Sequence, residues 1–421
     1  MAITVNETPE NRFNPITIPT EFSVSSTNVN QSNFKYVCDV YVDGEPIYYR
    51  MKQSPHPTNG YCVFDVSGIL KSFVSSDAPK TATTVEFAHA SNSYKNYTLK
   101  FGEEYGASSA VVVYPNLTSL TTNFYGVINA TLDFDEWAGD FRTMDSYTIL
   151  NSTKKFLTNA PSNQKVYPDT RAYLYFLNNT AAANAASYVK YMGYDNTNNN
   201  IVAVKFDTTF DDRKRIQYVG VGYENVELID GTEPGYNSPT GSLPFITGNV
   251  NLAYYTVQLF DVTDQPLTEI RTFTPSTECN VGDTYQLIFQ NKLGGYDTFS
   301  FTAPSDKSYQ ITTRDMFKKK FGQWISNKYE YKPYQRGTTQ YNTIYKDQIV
   351  IKSDWLTEEE SEWLHELVTS PDVYMVIDGR QELLAINIID AQYQVKQYAK
   401  DQLFNLQLTI EKSFNRYRQQ F

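Results

Sequence analysis

The side chains best suited to chemistry in this 421-residue chain are Asp133, Asp135 and Glu136, set beside Trp137. Paired carboxylates next to an aromatic platform are how glycosidases protonate a leaving group and stabilise the developing cation. The same residues occur wherever a strand ends in an Asp-rich turn covered by an indole, and the run through Phe134 reads as such a strand end. That plainer origin is the commoner one, so no catalytic residue is expected. A second cluster, Asp195 to Asn200, offers oxygen ligands of the kind Ca²⁺ takes. It lacks a bidentate Glu and a Gly at loop spacing, and a solvated loop is the expectation.

Metal and nucleotide chemistry find little support. The three histidines, His56, His89 and His365, are scattered and form no H-x-x-x-H pair. The three cysteines, Cys38, Cys62 and Cys279, sit singly in strand-like contexts, as small buried hydrophobes do, and are expected to be reduced. Neither phosphate-binding glycine motif is present, and Gly220-Val221-Gly222 lies inside a strand-like run as a turn or bulge element. No metal and no cofactor are expected.

The remaining candidates are surfaces for contact. The net charge of -11 argues against a general nucleic-acid coat. The balance is uneven, however: Asp306 to Lys352 holds ten Lys or Arg against four Asp or Glu, which leaves +6 there and -17 elsewhere. Within this window Tyr329, Tyr331 and Tyr334 stand among Lys328, Lys332 and Arg336. Tyr and Arg are enriched at interface hot spots, so these residues, with Trp355 and Trp363, are the interface candidates, ahead of base or sugar stacking. The stripe Tyr173 to Leu177 is continuous enough to be a buried strand.

The elements that must carry these residues are mostly strands. Tyr (34) and Phe (25) are abundant, and long Leu/Ala-rich helical runs are missing, which predicts a mainly β chain of tandem β-sandwich-like domains. The clearest module is the last, 346–421. Thr357-Glu358-Glu359-Glu360 spells a capping box, so a short helix should start there, bury Trp363, Leu364, Leu367 and Val368 on one face, and stop before Pro371. Strands are expected through Val373 to Ile377, Leu384 to Ile388 and Phe404 to Ile410, with a tight turn at Asp378-Gly379 and a bulge at Ile389-Asp390. The result is an antiparallel sheet crossed by one helix. Upstream, 1–30 is proline-punctuated and reads as an extended arm laid across a neighbouring subunit; 31–108 and 109–247 read as sandwiches and 248–345 as a further β domain. The N-terminus lacks a basic and apolar leader, and no membrane span is expected.

Several short runs carry a resemblance: Phe289 to Phe301, Phe156 to Pro161, Val42-Asp43-Gly44 followed by Phe64 to Ser67, and Trp355-Leu356-Thr357 leading to Thr369 through Tyr374. In these the chain resembles virion proteins of tailed bacteriophages that infect Bacteroidota, the crAss-like phages among them. The resemblance implies a neck or tail component, a ring, tail-hub or baseplate-type subunit assembled in the host bacterial cytoplasm. Its implied partners are copies of itself in a ring-like homo-oligomer, adjacent neck or tail proteins, and genome DNA that passes through the channel without specific binding. A sheet with a helix on one face is likewise the scheme of phage tail-tube modules, an analogy of fold alone. The alternative is a tail-tip receptor- or glycan-binding protein, and behind it a glycan depolymerase.

Overall fold

The computed structural model describes residues 3–9, 13–79, 87–106, 112–119, 125–132, 143–149, 153–178, 185–208, 216–233, 235–276, 283–318, 322–334, 337–377, 383–389 and 405–419. The chain is mainly β, with several sheets and few helices. It divides into two compact units, Met1–Thr277 with Gln290–Thr298, and Glu278–Phe289 with Phe299–Phe421.

The first unit holds two apolar cores, each closed between two sheets. In one, Glu21–Ser26 lies between Ile3–Glu7 and Cys62–Asp65, all antiparallel. The facing sheet runs Phe13–Pro15, Tyr125–Ile128, Tyr94–Tyr105, Lys35–Val42, Tyr48–Gln53. Period-2 alternation sends Tyr36, Cys38, Val40 and Val42 inward, where they meet Phe22, Val24, Phe64 and Phe101 in one cluster. The expected arm is therefore corrected: its Phe13, Ile18, Phe22 and Val24 are buried, and its strands complete the chain's own sandwich. Short polar strands of this kind carry few local signals, because the pairing partner Cys62–Asp65 lies some forty residues on.

The second core packs Tyr173–Asn178 and Ile216–Gly220 against a six-stranded sheet ordered Asn163–Val166, Arg271–Pro275, Tyr254–Phe260, Tyr188–Tyr194, Asn200–Asp207, Tyr236–Thr240. Tyr254–Phe260 and Arg271–Pro275, expected to open a third β domain at residue 248, are strands of this sheet. Tyr173 and Tyr175 are buried, as the continuity of their strand suggested. Asn291 shapes the turn that belongs to this unit: its side-chain carbonyl accepts the Leu293 and Gly295 amides, and its amide donates to the Leu157 carbonyl at 2.8 Å. Gly294, at φ +84°, lies so close to Asn129 that a Cβ would come within 2.9 Å of its carbonyl oxygen.

Both described cysteines are buried and free, and burial pushes the Cys62 thiol up to about 12. Cys279 lies outside the described residues.

In the second unit the capping box forms as expected: Thr357 Oγ1 accepts the Glu360 amide at 3.2 Å, and Glu360 Oε2 accepts the Thr357 amide at 2.8 Å. The helix is split, Glu358–Trp363 and His365–Thr369, with Leu364 at the junction. Trp363 is 5% exposed, and its ring lies 5.8 Å from Phe289 and 6.0 Å from Phe299. The three strands expected here, Val373–Val376, Leu383–Ile388 and Gln407–Lys412, pair antiparallel in that order. They are the middle of a larger sheet, flanked by Tyr285–Gln290 on one side and by Thr338–Lys352 and Ala303–Lys318 on the other. The expected turn at Asp378-Gly379, Asp390 of the expected bulge, and Phe404 lie outside the described residues.

Denaturation of the full chain should rank two substitutions in this unit. Trp363→Ala removes a buried indole and is expected to cost about 3–5 kcal/mol, whereas Thr357→Ala loses only the cap, about 1 kcal/mol. Equal costs would contradict the packing described.

Candidate functional site

Beyond that sheet, two of its strands continue as a ribbon. Ala303–Lys318 runs out and Thr338–Lys352 returns, antiparallel from Ala303↔Lys352 to Lys318↔Thr338. Thr, Tyr and Ile populate both strands, the residue types that suit a pleated surface. At about 3.3 Å per residue the outgoing strand reaches roughly 50 Å. A two-stranded ribbon is marginal by itself, and cross-strand aromatic pairs hold this one: Tyr309 with Tyr345 at 6.0 Å and Phe317 with Tyr341 at 5.8 Å. Asn342 Nδ2 adds a 2.8 Å hydrogen bond to Asp315 Oδ2.

The root of the ribbon is fixed by charge. Asp347, buried, accepts from Lys412 Nζ at 3.0 Å and pairs with Arg416 at 2.8 Å, while Lys346 pairs with Glu411. Each pair ties the returning strand to Gln407–Lys412 or to the strand Arg416–Gln419, which also pairs with it. Lys307 donates to Asp283 Oδ2 at 2.7 Å, which holds the Asp283 carboxyl below the usual carboxylate range and raises the Lys307 ammonium.

Two further short strands, Gln323–Ile325 and Lys328–Glu330, pair beyond Lys318 through a turn with Ser326 at φ +49°. Gly322 is required there, because at φ +106° a Cβ would stand 2.5 Å from the Tyr329 ring. Trp324 packs edge-on to Tyr329, and Tyr329 to Tyr331, each at 5.2 Å.

Exposure singles out this region. Of the 22 large hydrophobics exposed among the described residues, ten lie between Ala303 and Lys352. Tyr334 is 76%, Trp324 73% and Tyr309 71% exposed. Monomer surfaces rarely gather apolar side chains at this density unless something covers them.

The structure thus sorts the interface candidates. Tyr329, Tyr331 and Tyr334 are exposed, with Tyr329 and Tyr331 in ring contact, and Trp355 is exposed elsewhere in the second unit. Arg336 lies outside the described residues. Trp363 is corrected from interface residue to core residue, since its ring is enclosed by its own unit. Sequence reasoning missed Tyr309, Ile311, Phe317, Trp324 and Tyr341. Tyr309 and Ile311 fall in a strand-length run, Ser305 to Arg314, too poor in apolar residues to bury either face.

The two chemical candidates fare differently. Asp133, Asp135, Glu136 and Trp137 lie outside the described residues. The Asp195 carboxylate is engaged by its own loop: Oδ1 accepts the Thr197 amide and hydroxyl at 2.8 Å and the Asn199 amide at 2.9 Å. Asp261 repeats the device with Thr263 and Gln265. Of the glycine pair, Gly220 ends the strand Ile216–Gly220 and Gly222 caps the short helix Tyr223–Glu227, where the Asn225 side chain accepts its amide.

No family model matches the chain, and no curated protein matches it. Among solved structures, extracellular domains 3–5 of Drosophila OTK align with 83% of this chain and 92% of their own at 11% identity and a TM-score of 0.18, which carries no argument about fold or function. Among the described residues no helix is long and apolar enough to cross a membrane.

The Asp195 geometry has a pH signature. Hydrogen bonds from Asn199 and Thr197 lower its pKa from 3.8 to about 2. The loop's stabilisation is therefore present above the unfolded value and lost as pH falls through the folded one. Carboxyl-detected NMR should find the Asp195 midpoint near 2; a midpoint near 3.8 would contradict these bonds.

Proposed function

We propose that this chain is a structural subunit of a tailed-phage virion, part of an oligomeric ring or hub in the neck or tail that surrounds the DNA channel and joins neighbouring components. The observation that carries the reading is the exposed aromatic ribbon, which invites cover that the chain's own described residues do not supply. The sequence resemblance to virion proteins of phages that infect Bacteroidota supports the same reading, as does the build from rigid sandwiches with few helices.

Magnitudes favour a broad contact over a single anchor. Covering one large apolar side chain contributes about 1.5–3 kcal/mol, and association costs roughly 4–15 kcal/mol before any affinity appears. One tyrosine pair falls short, whereas a stripe of six or more suffices. The acidic balance outside the ribbon fits a conduit, because carboxylates facing a channel repel phosphates and let DNA slide.

A second reading rests on Trp324, Tyr329 and Tyr331, whose adjacent exposed rings suit sugar stacking at a tail tip. Binding of host capsular polysaccharide that is lost with Trp324→Ala and Tyr331→Ala would favour it over the ring.

Native mass spectrometry and negative-stain imaging of the purified full chain should find closed rings of uniform copy number. A monomer at every concentration up to tens of micromolar would reject the proposal.

A further inference from the structure

The ribbon's two faces differ, and its register says how. Ile349 and Ile351 are buried on the sheet's core side. Strand side chains alternate, so Tyr345 and Thr343 continue the same side outward, as far as the bulge at Tyr341, the extra residue between Asn342 and Gln340. Their cross-strand partners place Ile311 and Arg314 on that face, and Lys307 and Tyr309 join it opposite Ile349 and Asp347. The core face of the sheet thus runs on past its own core as a stripe of Lys307, Tyr309, Ile311, Arg314 and Tyr345, as far as the bulge. The opposite face carries Gln310, Thr313, Asp315, Asn342 and Gln348, with Ile344 as an apolar member and, past the bulge, Phe317.

We infer that this aromatic and basic face docks on the acidic surface of a second copy of the chain, head to tail and face to face; the inference rests on the assembly reading above. Charge selects the occupant. The window Asp306 to Lys352 carries +6, whereas the first unit has 20 Lys or Arg against 29 Asp or Glu, and the rest of the second unit has 6 against 14. A ribbon set against another ribbon about a twofold axis would bring like charges together. Set against either of the other two regions of a neighbour, it meets a surface of opposite net sign. Such an interface joins two different patches, so it propagates rather than stopping at a dimer, and it forms a ring where the rotation between neighbours closes.

Strand geometry selects the mode. The outgoing strand is the edge of its sheet, and a long flat edge is a template for another chain's strand. Here the pairing is broken by register shifts at Ala303/Asp306, Ile311/Thr313 and Asp315/Met316, and Lys307, Arg314 and Lys318 stud the strand. Bulges and cations are the usual protection against edge pairing. Contact through the face remains.

The test uses the full chain, with ¹⁴N- and ¹⁵N-labelled copies mixed, treated with a zero-length carbodiimide, and mapped by mass spectrometry. Mixed-isotope links are expected from Lys307, Lys328 or Lys332 to carboxylates outside 306–352, and raising NaCl from 0.05 to 0.5 M should weaken the oligomer about tenfold or more. Oligomers whose mixed-isotope links all avoid the ribbon would overturn this docking while leaving the assembly reading intact; a monomer throughout would overturn both. Hydrogen exchange supplies the second readout. Amides of the outgoing strand that face its open edge should stay fast in the oligomer, and strong protection there would replace face docking by strand pairing.

Discussion

The register of one strand governs the second unit. Thr338–Lys352 pairs with Gln407–Lys412 at its inner end, with Arg416–Gln419 further out, and with Ala303–Lys318 along nearly its whole length. Burying Ile349 and Ile351 fixes which face is inward, and a slip of one residue would turn every side chain to the other side. Asp347, held between Lys412 and Arg416, adds a penalty to any such slip, because it would leave a charged group without its partners. From that register it follows that Tyr345, further out, shares the core side of the sheet with Tyr309 and Ile311 of the neighbouring strand. The exposed stripe is thus a continuation of the core, and its position needs no separate explanation.

The ribbon also shows how a strand pair can be stable and exposed at once. Its inner end is anchored by burial and ion pairs, and its outer half by ring contacts that do not need a core beneath them. Bulges and lysines along the edge discourage uncontrolled pairing, while the apolar face stays open. A protein that must stay soluble before assembly and bind firmly afterwards has use for this combination.

Much of the local structure could be read from the sequence. The capping box at Thr357, the alternation of Leu406, Leu408 and Ile410, and the buried stripe at Tyr173 are all encoded within a few residues, and each is found where those residues placed it. Features set by distant pairing were not readable in this way. The N-terminal strands take their partner from Cys62–Asp65, and Tyr254–Phe260 takes one of its partners, Tyr188–Tyr194, from about sixty residues upstream. Trp363 was legible as the apolar side of a helix, yet an aromatic near a basic window also fits an interface; only its enclosure by Phe289 and Phe299 decides between them. The ribbon's outgoing strand was hidden for the opposite reason. Ser305 to Arg314 has too few apolar residues to signal a strand, because its neighbours along the returning strand supply the order.

The central claim is that the ribbon's core-side face joins one copy to the next. Sedimentation velocity on the full chain, compared with an Ile311→Ser, Arg314→Glu variant, tests it most directly, since both exposed side chains lie on that face and neither belongs to the ring pairs that hold the ribbon. The account predicts that the parent chain sediments as an oligomer and the variant as a monomer with unchanged circular dichroism. An oligomer of the same size and stability from both would contradict it.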